Sequence, residues 1–131
     1  MPLTTRWFVR SALAGGVLLA TGVAPRIPGT DVVLPYPTYI HLVTVGWLSN
    51  LIFGVALWLF PRYTAEQPRG SDALGWASYA GLNAGLLLRL IGEPAQLAGA
   101  GGRTLLLLSA GLQLLGGWAF VLNIWPRVKA K

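Results

Sequence analysis

The chain has 131 residues, of which 54% are hydrophobic and only 11% are charged, with ten basic and four acidic side chains. Soluble domains carry about 25% charged residues, so this composition excludes an ordinary soluble globular protein and predicts an integral membrane protein. The sequence contains no cysteine, which excludes disulfides, thiolate nucleophiles, iron–sulfur clusters and zinc sites built on thiolates.

Four apolar segments are long enough to cross a bilayer, whose hydrocarbon core of roughly 30 Å needs about 20 helical residues. We expect spanning helices at about residues 5–23, 38–60, 74–91 and 104–125. Prolines flank these segments, as expected of residues that do not continue a helix; Pro37 precedes the second segment and Pro61 ends it. The sequence therefore predicts an all-α fold, an integral membrane four-helix bundle that forms a single domain over residues 1–131.

The first segment also has features of a signal peptide, because basic residues precede its apolar run. Gly22-Val23-Ala24 fits a cleavage site, but Pro25 follows it directly and disfavours cleavage. We therefore expect this segment to be a retained helix.

Basic residues are divided unequally between the two ends of the predicted bundle, and such residues favour the cytoplasmic side. Seven belong to one end: Arg6, Arg10, Arg62, Arg69, Arg127, Lys129 and Lys131. Three belong to the other end: Arg26, Arg89 and Arg103. We therefore expect both termini in the cytoplasm of a bacterium, with the chain in the inner membrane. This orientation explains the positive charge without nucleic-acid binding.

Small and polar residues recur every fourth position in three of the predicted spans. These stripes are Gly46, Asn50 and Gly54; Ala77, Gly81 and Gly85; and Ser109, Gln113 and Gly117. Lipid provides no hydrophobic drive between helices, so small residues and hydrogen bonds bring them together. We interpret the stripes mainly as contacts within the bundle, and otherwise as a surface for a homodimer or another membrane subunit. The amides of Asn50, Asn83 and Gln113 are expected to bond to each other or to backbone across the bundle.

The one histidine, His41, lies in the first turn of the second span. The antiparallel topology brings Arg89 and Glu93 to the same end, where Arg103 begins the fourth span. Neutral imidazole ligates haem iron, and guanidinium groups bind carboxylates such as haem propionates. One hypothesis is therefore a haem b site in which His41 binds the metal and Arg89 and Arg103 bind the cofactor. Alternatively, His41 coordinates the magnesium of a chlorophyll-type pigment, or it binds no cofactor and anchors its helix while Arg89 and Glu93 pair.

A resemblance to a known family is carried by residues 41–62, which read HLVTVGWLSNLIFGVALWLFPR. This run resembles the helix near the start of haem–copper oxidase and nitric-oxide reductase catalytic subunits, and the resemblance implies that His41 ligates a low-spin haem. It is closest to small stand-alone relatives of those subunits and covers roughly residues 38–94, including Pro68-Arg69-Gly70 and Leu82-Asn83-Ala84-Gly85-Leu86. The copper-binding histidines and the other haem ligands of the family have no counterpart, so no reduction of oxygen or nitric oxide is expected.

Two classes of function follow from these features. The first is a small integral membrane subunit associated with electron transfer, in which His41 binds haem b near the outer face, within a homodimer or against a partner subunit. The second is a non-catalytic accessory subunit of a larger respiratory or photosynthetic complex, which stabilises assembly or forms a pigment, lipid or quinone niche. We expect no enzymatic activity, because hydroxyls such as Ser49 and Ser109 lack a base.

Overall fold

The computed structural model describes residues 1–20 and 35–129, which form four helices and no strand. The helices are α1 (Leu3–Ala20), α2 (Tyr36–Leu59), α3 (Asp72–Leu97) and α4 (Arg103–Lys129). The predicted all-α fold is confirmed for the described residues, and each predicted span overlaps one helix. The proposed cleavage motif at residues 22–24, Arg26 and Lys131 lie outside the described residues.

Helices α3 and α4 are longer than the sequence predicts, because each continues through a proline. α3 passes Pro94 and ends at Leu97, and α4 passes Pro126 and ends at Lys129. A proline removes its own N–H from the helical ladder, but the turn after Pro94 forms again, as the bond from the Ala98 N–H to the Pro94 carbonyl shows (3.0 Å).

By length and composition, two of the described helices are able to cross a membrane. They are α2, with 24 residues, and residues Arg103–Val128 of α4, with 26 residues.

The helices associate as two antiparallel pairs, and glycines allow the close approach within each pair. In the α3–α4 pair, a Cβ on Gly81 would lie 2.8 Å from the Cα of Gly116. In the α1–α2 pair, a Cβ on Gly54 would lie 2.7 Å from the Cβ of Phe8, and one on Gly15 would lie 3.0 Å from the Gly46 carbonyl oxygen. The start of α1 therefore lies beside the end of α2.

The predicted stripe on α3 is correct at Gly81 and Gly85 and wrong at Ala77, which is exposed while Ser78 is buried. On α4, Gly117 faces open space and Gly116 makes the contact. In an α-helix, a step of four residues turns about 40° further than one complete turn. A contact face therefore alternates steps of three and four and does not follow a strict fourfold spacing.

Helix α2 contains π-helical turns over Leu42–Ser49, where hydrogen bonds run five residues along the chain. Its buried residues include Thr38, Leu42, Gly46, Asn50 and Gly54. In a regular α-helix, each step of four residues turns the side chain about 40° beyond a full turn. The four steps from Thr38 to Gly54 would therefore place these two side chains about 160° apart around the helix axis. The wider π turns offset that rotation, and all five positions face the other helices.

The side chain of Asn50 bonds directly to the π segment. Its Nδ2 donates to the carbonyl oxygen of Val45 (2.7 Å) and to Asn83 Oδ1 (3.2 Å). In return, Asn83 Nδ2 donates to Asn50 Oδ1 (2.9 Å) and to the Tyr79 carbonyl oxygen (2.9 Å). The predicted amide pairing is confirmed for Asn50 and Asn83. It is wrong for Gln113, whose Nε2 donates to Ser109 Oγ within α4 (3.1 Å), because the hydroxyl one turn away is the nearer acceptor.

The apolar core is small and forms two buried clusters. The larger one lies towards the end of the bundle that contains the start of α1 and consists of Phe8, Leu57, Leu82 and Ile124. The smaller one, Leu42 with Leu86, lies nearer His41. Most other large apolar side chains face outward, so helix contacts through glycines and polar bonds take a large part in holding the helices together.

We predict that Gly85→Leu destabilises the α3–α4 pair, whereas Gly117→Leu does not. A Cβ at position 85 would lie 2.9 Å from the carbonyl oxygen of Ser109, and one at position 117 meets nothing within 4 Å. Overpacking of this kind costs about 1–3 kcal/mol. Unfolding in detergent, followed by circular dichroism, measures the difference, and equal stability of the two variants would contradict the described contact.

Candidate functional site

His41 lies where the first turn of α2 meets the π segment, and its ring is half-buried. The Nδ1–H donates to the carbonyl oxygen of Pro37, at 3.0 Å. Because a carbonyl only accepts, Nδ1 carries the proton in this bond, and a neutral imidazole in this geometry has its lone pair on Nε2. No hydrogen bond to Nε2 occurs within the described residues. Nε2 is therefore the nitrogen of His41 that is available to a metal or another donor.

One turn before His41, the buried Thr38 joins α2 to α3. Its Oγ1 donates to Glu93 Oε2 (2.5 Å), and Arg89 Nη2 donates to Glu93 Oε1 (3.0 Å). Glu93 is only 8% exposed. A buried carboxylate is unfavourable unless it is paired and hydrogen-bonded, and here each oxygen has one donor. Arg89 Nε is also buried and has no hydrogen-bond partner among the described residues.

The structure brings Arg89 and Glu93 to the His41 end, as the antiparallel topology predicts. Arg103 begins α4 and is exposed. Neither Arg103 nor His41 bonds to the Arg89–Glu93 pair in the described part of the chain. Sequence reasoning missed Thr38, although its place in the fourfold buried stripe of α2 was a usable signal.

Among the described residues at this end, the side chains of a type that is able to ligate a metal are those of His41 and of the already paired Glu93. Within residues 1–20 and 35–129, no three His, Cys, Asp or Glu side chains lie together. Helices α3 and α4 also approach closely at this end, since a Cβ on Gly92 would lie 3.3 Å from the Gly102 carbonyl oxygen. A cofactor on His41 would therefore lie beside the bundle and not between α3 and α4.

The opposite end contains an arginine whose burial the sequence did not indicate. Arg127 is 0% exposed. Its guanidinium donates to the carbonyl oxygens of Pro61 (2.9 Å), Leu57 (3.1 Å), Phe60 (2.6 Å) and Arg69 (3.4 Å). The last carbonyls of a helix have no partner within it, and the five N–H groups of one guanidinium can satisfy several of them. Arg127 thus caps α2 from the end of α4.

The loop between α2 and α3 is bound to this same end. The Arg69 guanidinium donates to the Trp58 carbonyl oxygen, and Asn123 Oδ1 accepts from the Ser71 N–H (2.8 Å). Gly70 lies beside Asn123 with a φ of +76°, a conformation that favours glycine. These bonds bring the basic residues of the loop to the same end as the start of α1.

No protein-family model, curated protein or solved structure matches the chain significantly. The similarity of residues 41–62 to oxidase subunits therefore remains a prediction from sequence.

We predict that Thr38→Val destabilises the fold and Thr44→Val does not. Loss of the Thr38 hydroxyl leaves one oxygen of the buried Glu93 without its donor, which costs about 1–3 kcal/mol. Thr44 is exposed, and its hydroxyl bonds only to the Ile40 carbonyl oxygen of its own helix. Thermal unfolding in detergent compares the two variants, and an unchanged midpoint for Thr38→Val would argue against the buried bond.

Proposed function

We propose that the chain is a small integral membrane subunit associated with electron transfer, with four spanning helices and both termini in the cytoplasm. Its surface supports membrane insertion, because the most apolar windows of α2 and α4 are only 28% and 17% buried. Several leucines of α4 are more than half exposed: Leu107, Leu108, Leu114, Leu115 and Leu122. Contiguous apolar surface of this kind is rare on soluble monomers and is compatible with lipid.

The distribution of charge supports the proposed orientation in a bacterial inner membrane. Arg62, Arg69 and Arg127 lie at the end where α1 begins, and the Arg89–Glu93 pair lies at the other. Positive residues favour the cytoplasmic side. His41 would then lie near the outer face.

We further infer that His41 provides one axial ligand to haem b. The observation that carries this inference is the bond from His41 Nδ1–H to the Pro37 carbonyl oxygen. Metal-ligating histidines commonly donate their other ring nitrogen to a carbonyl or carboxylate, which orients the ring and raises its basicity. The bound haem would supply a one-electron redox couple.

The two arginines of the hypothesis suit different roles. Arg103 is exposed and free to bind a propionate. Arg89 already donates to Glu93, so its first role is to close this end of the bundle. Since the sequence has one histidine, a second histidine ligand would come from a second copy of the chain or from a partner subunit.

The second candidate function is that of a non-catalytic accessory subunit in a respiratory or photosynthetic complex. The bonds among Thr38, Arg89 and Glu93 favour it, because they satisfy Glu93 within the chain. Both oxygens of the buried carboxylate thus have donors from the chain itself, with none required from a cofactor. A chlorophyll-type pigment on His41 would belong to this alternative.

The absorption spectrum of the purified protein, loaded with haem b in detergent, tests the proposal. We expect a Soret band and split visible bands on reduction, which His41→Ala abolishes while the protein still partitions into membranes. Thr44→Ala, an exposed change one turn later, should keep the spectrum. Absence of any haem spectrum would reject the haem site, and a long-wavelength band in protein isolated from its source would indicate a chlorophyll-type pigment.

A further inference from the structure

Helix α1 has two chemically distinct faces. Thr5, Phe8 and Ala12 are fully buried on the inner face. Leu3, Leu13 and Val17 are each more than half exposed on the outer face. The outer face therefore belongs to the surface that lipid would contact.

Arg6 and Arg10 interrupt this apolar outer face. Both are exposed and lie one helical turn apart, and neither has an ion pair or side-chain hydrogen bond within the described residues. Like charges at this spacing repel one another. The pair therefore has two positive charges close together without a counter-charge from the described chain.

The chain offers few carboxylates that would neutralise this pair. Of its four acidic residues, Glu93 is bound to Arg89 at the opposite end. Asp31 lies outside the described residues. Glu66 and Asp72 form no ion pair with Arg6 or Arg10. Both guanidinium groups are therefore open to an anion from outside the described part of the chain.

We propose that Arg6 and Arg10 bind the phosphate of an anionic phospholipid. Arg10 lies about 6 Å deeper along α1 than Arg6, and both stems are long enough to direct their guanidinium groups toward the headgroup layer. Trp7 lies between them and is exposed, as is typical of tryptophans at the membrane interface. The acyl chains would lie along Leu13 and Val17, which favours a lipid over a free phosphate ion.

This inference rests on the membrane insertion in the proposed function and does not depend on haem. Other anionic surfaces lack the apolar tail that the exposed leucine and valine side chains would contact. The lipid would neutralise the arginines and cover the outer face of α1 at the same time.

The test compares the full chain in bilayers of phosphatidylcholine with and without phosphatidylglycerol. Native mass spectrometry measures the phosphatidylglycerol retained, and the thermal midpoint is measured in parallel. We expect Arg6→Gln and Arg10→Gln each to lower retention about fivefold, the effect typical of one basic residue at an anionic surface. Arg62→Gln, which removes an exposed arginine at the same end but outside this pair, should lower retention less than either change.

Four outcomes would overturn the lipid site. Equal retention by all variants would show that the arginines do not bind the headgroup. Equal stabilisation by inorganic phosphate alone would identify a free-anion site. Failure of the protein to enter bilayers would reject membrane insertion, and with it the proposed function, whereas insertion without selective retention rejects the lipid site alone.

Discussion

The buried residues of α2 follow a spacing of four that a regular α-helix does not keep on one face. The π turns over Leu42–Ser49 resolve this conflict, and Asn50 stabilises them by donating to the Val45 carbonyl oxygen. Asn83 then joins Asn50 to α3. These π turns determine which side chains of the first turn of α2 face the other helices. The contact of Thr38 with Glu93 and the direction in which His41 points therefore depend on them.

Polar side chains form hydrogen bonds between helices at both ends of the bundle, and close contacts through glycine lie between the two ends. At the His41 end, Thr38 and Arg89 satisfy the buried Glu93. At the other end, Arg127 caps α2. Within lipid, packing of small residues and interhelical hydrogen bonds hold helices together, so this distribution agrees with the proposed membrane setting. His41 Nε2 takes no part in these bonds within the described residues.

Much of the fold could be predicted from sequence, because long apolar segments indicate where helices form. The prolines located the helix ends less well, since α3 and α4 continue through Pro94 and Pro126. Two helix contacts were also predictable: the close approach of Gly81 and Gly85 to α4, and the pairing of Asn50 with Asn83. In apolar helices, small residues commonly mark close helix contacts, and a buried amide is unfavourable unless it is hydrogen-bonded. The antiparallel topology alone predicts that His41 and Arg89 lie at the same end of the bundle.

The remaining features depend on tertiary contacts that a single helix pattern does not encode. Ala77 and Gly117 were predicted in contact stripes because the strict fourfold spacing ignores helical drift. The burial of Arg127 depends on the end of α2 approaching the end of α4, and the importance of Thr38 depends on the π turns. The burial of Arg127 is not visible in local composition, because an arginine near a predicted membrane boundary has many ordinary environments. The spacing of four places Thr38 in the buried stripe of α2 but does not indicate its bond to Glu93.

The most direct test of the central claim is the identity of the α2 residue that faces Glu93. Asn50 marks the side of α2 that faces the other helices. If α2 were a regular α-helix, Tyr39 would lie about 20° from the direction of Asn50 around the helix axis, and Thr38 would lie about 120° from it. The chain has no cysteine, so the pairs Thr38→Cys/Glu93→Cys and Tyr39→Cys/Glu93→Cys can be compared with a short thiol-specific crosslinker. The π-helical account predicts faster crosslinking of the pair with position 38, and faster crosslinking of the pair with position 39 would contradict it.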